Sequence, residues 1–142
     1  MSDNPVTREV RRIHPRVGIG HVHLKVADLE RSLAFYRDVL GFELTQRYGK
    51  EAAFLSAGGY HHHLGLNTWA GQGVPPPPQG IAGLRHFTVE FPRSDDVTEV
   101  VSRLRAGGIA VTDGPQGTWT ADQSQNRILL RMRPDPDSPR IS

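Results

Sequence analysis

One order of strand, helix cap and helix stop occurs twice in this chain, and that duplication limits the fold more than any composition could. His21 and His86 lie 65 residues apart, Val26 and Phe91 also 65, and Gly41 and Gly107 lie 66 apart. A nearly constant offset between matching positions is the mark of a repeat. In the first copy, "HVHLKV" alternates, with His21, His23 and Lys25 on one face and Val22, Leu24 and Val26 on the other, as a strand does. Asp28 suits an N-cap, and Leu29, Leu33, Tyr36 and Leu40 follow at helical spacing until Gly41 can end the helix. "FELTQRY" and "AAFLSA" read as strands about a turn at Gly49-Lys50, and Gly58-Gly59 leads into "YHHHLGLNTW".

The second copy repeats the order. "LRHFTVEF" is a strand, and Ser94 can cap a helix carrying Val97, Val100, Val101 and Leu104 up to Gly107-Gly108. "IAVTDG", "GTWTA" and "RILLRM" are the three strands after it. Between the copies, "AGQGVPPPPQGIAG" holds four consecutive prolines, which favour an extended chain and cannot enter a central strand. The expected organisation is a flexible basic arm over 1–16, module one over 17–69, a proline-rich linker over 70–82, module two over 83–133 and a tail over 134–142. Both modules belong to one domain. The expected class is α+β: two tandem βαβββ modules forming curled mixed sheets around a central cleft, with helices outside.

Composition removes several functions. The 142 residues are 37% hydrophobic and 23% charged, with no apolar run long enough to cross a bilayer and no signal-peptide core. The absence of cysteine excludes disulfides, thiolate metal sites and cysteine nucleophiles, and fits a reducing compartment, so the expected location is cytoplasmic. Net charge is +2, and Arg8, Arg11, Arg12 and Arg16 against Asp3 and Glu9 account for all of it, leaving a neutral body. A neutral body argues against nucleic-acid binding, which shows a basic face. No membrane association is expected either. The chain has no glycine-rich phosphate loop leading into a helix, no G-x-S-x-G elbow and no H-E-x-x-H pair.

"GHVHLKVADLERSLAFYRDVLGFEL" resembles the opening of the vicinal-oxygen-chelate proteins, which include glyoxalase I, extradiol dioxygenases, and fosfomycin- and bleomycin-resistance proteins. "YHHHLGLNTWAGQGVPPPP" followed by "GLRHFTVEF" is similar to their catechol-2,3-dioxygenase-like branch. The resemblance spans about residues 17–132. It implies one divalent metal (Fe, Mn, Zn or Ni) that chelates vicinal oxygens of a small substrate, with His21 and His86 as ligands. The family's last-strand glutamate falls within "DQSQNRILL", where Leu129 stands in its place and cannot ligate a metal.

That loss directs attention to the histidine triplet. If the strand runs through it, Leu64 and Leu66 face the helix with His62, while His61, His63, Gly65 and Asn67 face the cleft. The resemblance then makes His63 the third ligand beside His21 and His86. His23 is the expected acid or base, and His61, Asn67, Thr88, Glu90 and Arg131 are the expected substrate contacts. Arg131 would hold an anionic group, and Glu90 would pair with Lys25. The expected activity is that of a mononuclear-metal dioxygenase, lyase or isomerase, working as a homodimer on a small oxygenated substrate, aromatic ones included. The alternatives are a metal-free binding or resistance protein, which Leu129 favours, and a metal-independent enzyme.

Overall fold

The computed structural model describes residues 11–134. The first ten residues of the basic arm and the tail beyond 134 lie outside the described residues. Strand β1 (Val22–Lys25) leads to α1 (Leu29–Leu33), which continues as a π-helical segment over Ala34–Val39. The first turn forms because Asp28, in extended backbone, accepts from the Arg31 N–H at 2.9 Å. The wider π turn, marked by Leu40 N–H bonding Phe35 C=O at 2.9 Å, lets the adjacent Phe35 and Tyr36 both be buried. Gly41 then takes φ +95°, the left-handed conformation that closes the helix.

Strands β2 (Glu43–Tyr48), β3 (Ala52–Ser56) and β4 (Leu64–Asn67) complete module one. Module two holds β5 (Phe87–Phe91), α2 (Ser94–Ala106), β6 (Thr112–Gly114), β7 (Gly117–Ala121) and β8 (Arg127–Met132). Ser94 does not cap α2: Arg93 occupies that position and makes no side-chain cap bond, so Ser94 is the first helical residue. The strand orders are β1-β4-β3-β2 and β5-β8-β7-β6, with the β1–β4 and β5–β8 pairs parallel and the others antiparallel. The duplication is real in three dimensions.

The expected curled sheets around a central cleft are not what forms. Each sheet is an open, four-stranded layer that closes neither on itself nor on the other. The reason lies in where the apolar surface sits. Leu24, Val26, Leu64 and Leu66 of one sheet, Ile128 and Leu130 of the other, and Leu33, Phe35, Tyr36, Val101 and Leu104 of the flanking helices form one continuous core. The modules therefore join on their helix-backed sides. Arg103 of α2 fastens this junction, donating through Nε to Val39 C=O at 2.8 Å and through a terminal nitrogen to Leu40 C=O at 3.1 Å.

A second fastening comes from the turn between β7 and β8. Buried Asp122 accepts from Tyr36 Oη at 2.7 Å, from the Ser124 and Asn126 N–H groups at 2.8 and 3.0 Å, and from Asn126 Nδ2 at 2.9 Å. Asn126 Nδ2 also donates to Lys25 C=O at 3.0 Å, and Ser124 Oγ accepts from the Ala27 N–H at 2.9 Å. Burial first, then the charge and hydrogen bond of Asp122, push the Tyr36 hydroxyl well above the usual tyrosine range. An open hollow of about 250 Å³ lies where Leu40 and Phe42 meet Val89, Phe91 and Pro92. No histidine lines it. Glu90 of β5 lines this hollow, whereas the histidines of module one gather apart from it.

Candidate metal centre

Strand alternation puts His23 on the polar side of β1, His21 stands beside it just before the strand, and both are exposed. His62 joins them. One ring nitrogen from each of His21, His23 and His62 lies within 4.8 Å of the others. The ring centroids are 4.3 Å apart for His21–His62 and 5.6 Å for His21–His23. His62 enters this group because β4 begins only at Leu64; residues 60–63 are loop, where strand parity does not hold. Part of the signal was in the sequence, since "AAFLS" is only five residues long, and the observed antiparallel pairing with β4 runs only from Ala52↔Asn67 to Leu55↔Leu64.

His23 lies down over Gly65. A Cβ built at Gly65 would stand 2.6 Å from His23 Nε2, closer than atoms approach, so the ring occupies space that only glycine leaves free. Phe54 approaches the His23 and His62 rings at 5.7 and 4.8 Å, and Trp69 stacks on His23 at 5.9 Å. Asn67 Nδ2 stands 3.3 Å from His23 Nδ1. The amide can serve either tautomer, donating through Nδ2 or, turned over, accepting through Oδ1.

His62 is the innermost of the three. Its Nδ1 lies 3.0 Å from His61 Nδ1, while its Nε2 is buried and has no hydrogen-bond partner. Burial first, then the imidazoles of His21, His61, His23 and His63, hold His62 below the usual histidine range. A neutral ring with an unpaired nitrogen is the form that binds metal ions.

The other expected site residues are placed as follows. His63 turns back into its own loop, where Nδ1 accepts from the Ala57 N–H at 3.2 Å and stands 3.5 Å from Ser56 Oγ. His86 sits against Trp119, ring centroids 4.8 Å apart. Among the described residues, neither His63 nor His86 belongs to a cluster of three metal-capable side chains. Thr88 lies on β5 opposite buried Leu129. Glu90 is engaged by Arg131, its register partner, through two bonds of 3.0 and 3.2 Å, rather than by Lys25. His61 is exposed at the rim of the cluster.

This layout, a duplicated βαβββ unit with histidines on the polar face of a first strand, defines a class. The sequence profile of the Glyoxalase/Bleomycin resistance protein/Dioxygenase superfamily matches residues 18–137, and the chain belongs to that superfamily. It is 47% identical over 96 residues to catechol-2,3-dioxygenase of Bacillus subtilis (strain 168), a match covering 67% of this chain and 34% of that protein. The chain therefore spans about a third of that relative. The fold is similar to the lactoylglutathione lyase of Agrobacterium tumefaciens, with a TM-score of 0.61 at 26% identity over 82% of this chain and 94% of that one. It is also similar to a glyoxylase/bleomycin resistance protein/dioxygenase domain from Frankia sp. EAN1pec, with a TM-score of 0.64 at 23% identity over 82% and 97% of the two chains.

The donor set passes a simple test of fit. Zinc–imidazole bonds of about 2.0–2.1 Å in tetrahedral geometry place donor atoms roughly 3.3 Å apart. Closing from within 4.8 Å requires small rotations of two exposed side chains around a third that is already seated. The buried, unpartnered Nε2 of His62 is the kind of atom such an ion would satisfy.

Proposed function

We propose that this chain is a metal-dependent enzyme of its superfamily that acts on a small oxygenated substrate at the polar face of module one. The histidine cluster around His21 carries this reading, and the likeness to a catechol-2,3-dioxygenase makes a vicinal diol the first substrate class to test. A divalent ion, when bound, supplies Lewis-acid polarisation of two neighbouring substrate oxygens. His21 heads the donor set. The other donors come either from the neighbouring cluster or from the cross-module pair His63 and His86 that the family resemblance implies.

The surrounding side chains then have definable tasks. Phe54 and Trp69 wall the cluster with aromatic faces against which a planar substrate can lie. Asn67 orients His23 and offers an amide to a substrate hydroxyl, while exposed His61 can take up and return a proton at a ring nitrogen. Thr88, Glu90 and Arg131 lie on the polar face of the other sheet. A second copy that brings that face over the first, the homodimer expected from the resemblance, would let them reach substrate. No helix among the described residues is long and apolar enough to cross a membrane.

Elemental analysis of purified protein, alongside ring-opening and isomerase assays on a panel of diols and α-keto hemithioacetals, tests the proposal. Turnover that requires stoichiometric metal and fails in His21→Ala is the expected result. A second reading is favoured by Leu129, which fills the family's carboxylate position: a metal-free binder that sequesters its ligand. Tight ligand binding with no metal after reconstitution and no turnover would replace the first reading with that one.

A further inference from the structure

Resting on the reading above, we infer that the metal is held by His21, His23 and His62 alone, a three-imidazole site complete within module one, with His61 as its outer partner. Four observations converge on it. The three rings present one nitrogen each within 4.8 Å. His62 Nε2 is buried without a partner. Gly65 is bare where any side chain would displace the His23 ring. His63 Nδ1 is taken up by the Ala57 N–H, and His86 sits edge-on against Trp119, outside any cluster of three metal-capable side chains among the described residues.

The contact between His61 and His62 couples their tautomers. Their Nδ1 atoms are 3.0 Å apart, so one must carry the proton. When His62 Nδ1–H donates to His61, the lone pair of His62 Nε2 is free to ligate; the opposite assignment would place a proton on that nitrogen. His61 thereby does for His62 what a carboxylate does for a zinc-bound histidine elsewhere, fixing the ring and raising its basicity. The exposure of His21 and His23 leaves the fourth position, and a fifth on expansion, open to water or to two substrate oxygens.

Three neutral imidazoles without an oxygen ligand select the metal. Such a set favours Zn(II), Ni(II), Co(II) and Cu(II) over Mn(II), Mg(II) and Ca(II). The consequence for chemistry is direct. An all-nitrogen site with its remaining positions open suits Lewis-acid reactions better than the two-histidine, one-carboxylate arrangement suited to Fe(II) and oxygen.

Titration of the full chain with Zn(II) by calorimetry and with Co(II) by visible absorption tests the inference without reference to turnover. One Co(II) per chain with intense tetrahedral bands is expected. His21→Ala, His23→Ala and His62→Ala should each abolish those bands, and His61→Ala should weaken Zn(II) binding by about 10–100-fold, the usual cost of losing an outer partner. His63→Ala and His86→Ala should bind as the parent does. Circular dichroism establishes that each variant is folded, and His62→Gln, which keeps volume but loses the ring, serves where His62→Ala is not. Loss of binding in His63→Ala or His86→Ala with retention in His62→Ala would overturn the inference and leave the metal-enzyme reading standing. Binding as inferred but without turnover of any substrate would overturn that reading and leave the site standing. No binding at all would overturn both.

Discussion

The two sheets share a backbone plan and differ in one small place. On sheet one, His23 of β1 is in register with Gly65 of β4, which is itself opposite Phe54 of β3. On sheet two, Thr88 of β5 is in register with Leu129 of β8, which is opposite Trp119 of β7. Gly65 and Leu129 are thus equivalent positions, as are His21 and His86. Where the strand is bare, an imidazole lies on it and meets two others. Where leucine fills the same position, His86 is left against Trp119, while Arg127 stacks on the indole at 4.5 Å. The difference teaches that a first-strand histidine does not make a site; the neighbouring strand must leave room for its partners.

The sheets differ in their polar faces but share their apolar one, and the largest effect should fall there. Leu104→Ala in α2 removes a fully buried side chain from the common core and should cost about 2–5 kcal/mol. Chemical denaturation should remain a single transition, because both modules pack on that core. Two resolved transitions would separate the modules and break the shared-core account.

Tyr36→Phe probes the other link between the halves and should cost about 1.5–3 kcal/mol, the range for a hydrogen bond to a charged group. The pH dependence has a definite sign. Because the folded-state hydroxyl titrates above the free value of about 10, its contribution is intact below pH 10 and is lost as pH rises toward the folded value. The parent should therefore lose stability above pH 10 more steeply than Tyr36→Phe. Parallel curves would remove Tyr36 as the cause.

Gly65→Leu converts the comparison into an experiment by writing the module-two residue into module one. The new side chain enters a buried position against the His23 ring, which is exposed and can swing away, so the stability cost should stay within about 1–3 kcal/mol. Zinc affinity should fall about 10–100-fold or more as the ring is displaced. Unchanged affinity would show that the bare position is incidental.

How much of this was legible depended on whether the signal was local. The repeat was, and β7 and β8 run as "GTWTA" and "RILLRM" predict, because a glycine turn opens the first and a run of apolar residues fills the second. The Asp28 cap and Gly41 stop were equally plain. His62 was misread because alternation was carried past the point where β3 can pair, and a parity argument fails as soon as the strand does. The lack of curl could not be read from either module alone, since it depends on which faces meet. "DQSQN" was read only for the glutamate missing beyond it, while its own Asp122 is the buried acceptor that ties module two to Tyr36. Its function spans 86 residues of sequence, and no local pattern marks such a pair.

The smallest effect should come from the pair that makes sheet two's polar face self-contained. Arg131 and Glu90 are cross-strand partners with side chains 40% and 35% exposed, so their bond should be worth less than about 1 kcal/mol and should weaken with salt. Arg131→Ala should accordingly leave thermal stability and zinc affinity almost unchanged. Its value is as a test of whether this face holds a substrate anion. If Arg131 holds one, Glu90 competes for the same guanidinium, and Glu90→Gln should tighten binding of a carboxylate ligand while Arg131→Ala weakens it. If both variants bind the ligand equally, the pair is structural. The polar face of sheet two would then be closed chemically, as Leu129 closes it sterically, and the histidines of sheet one would be left to do the chemistry alone.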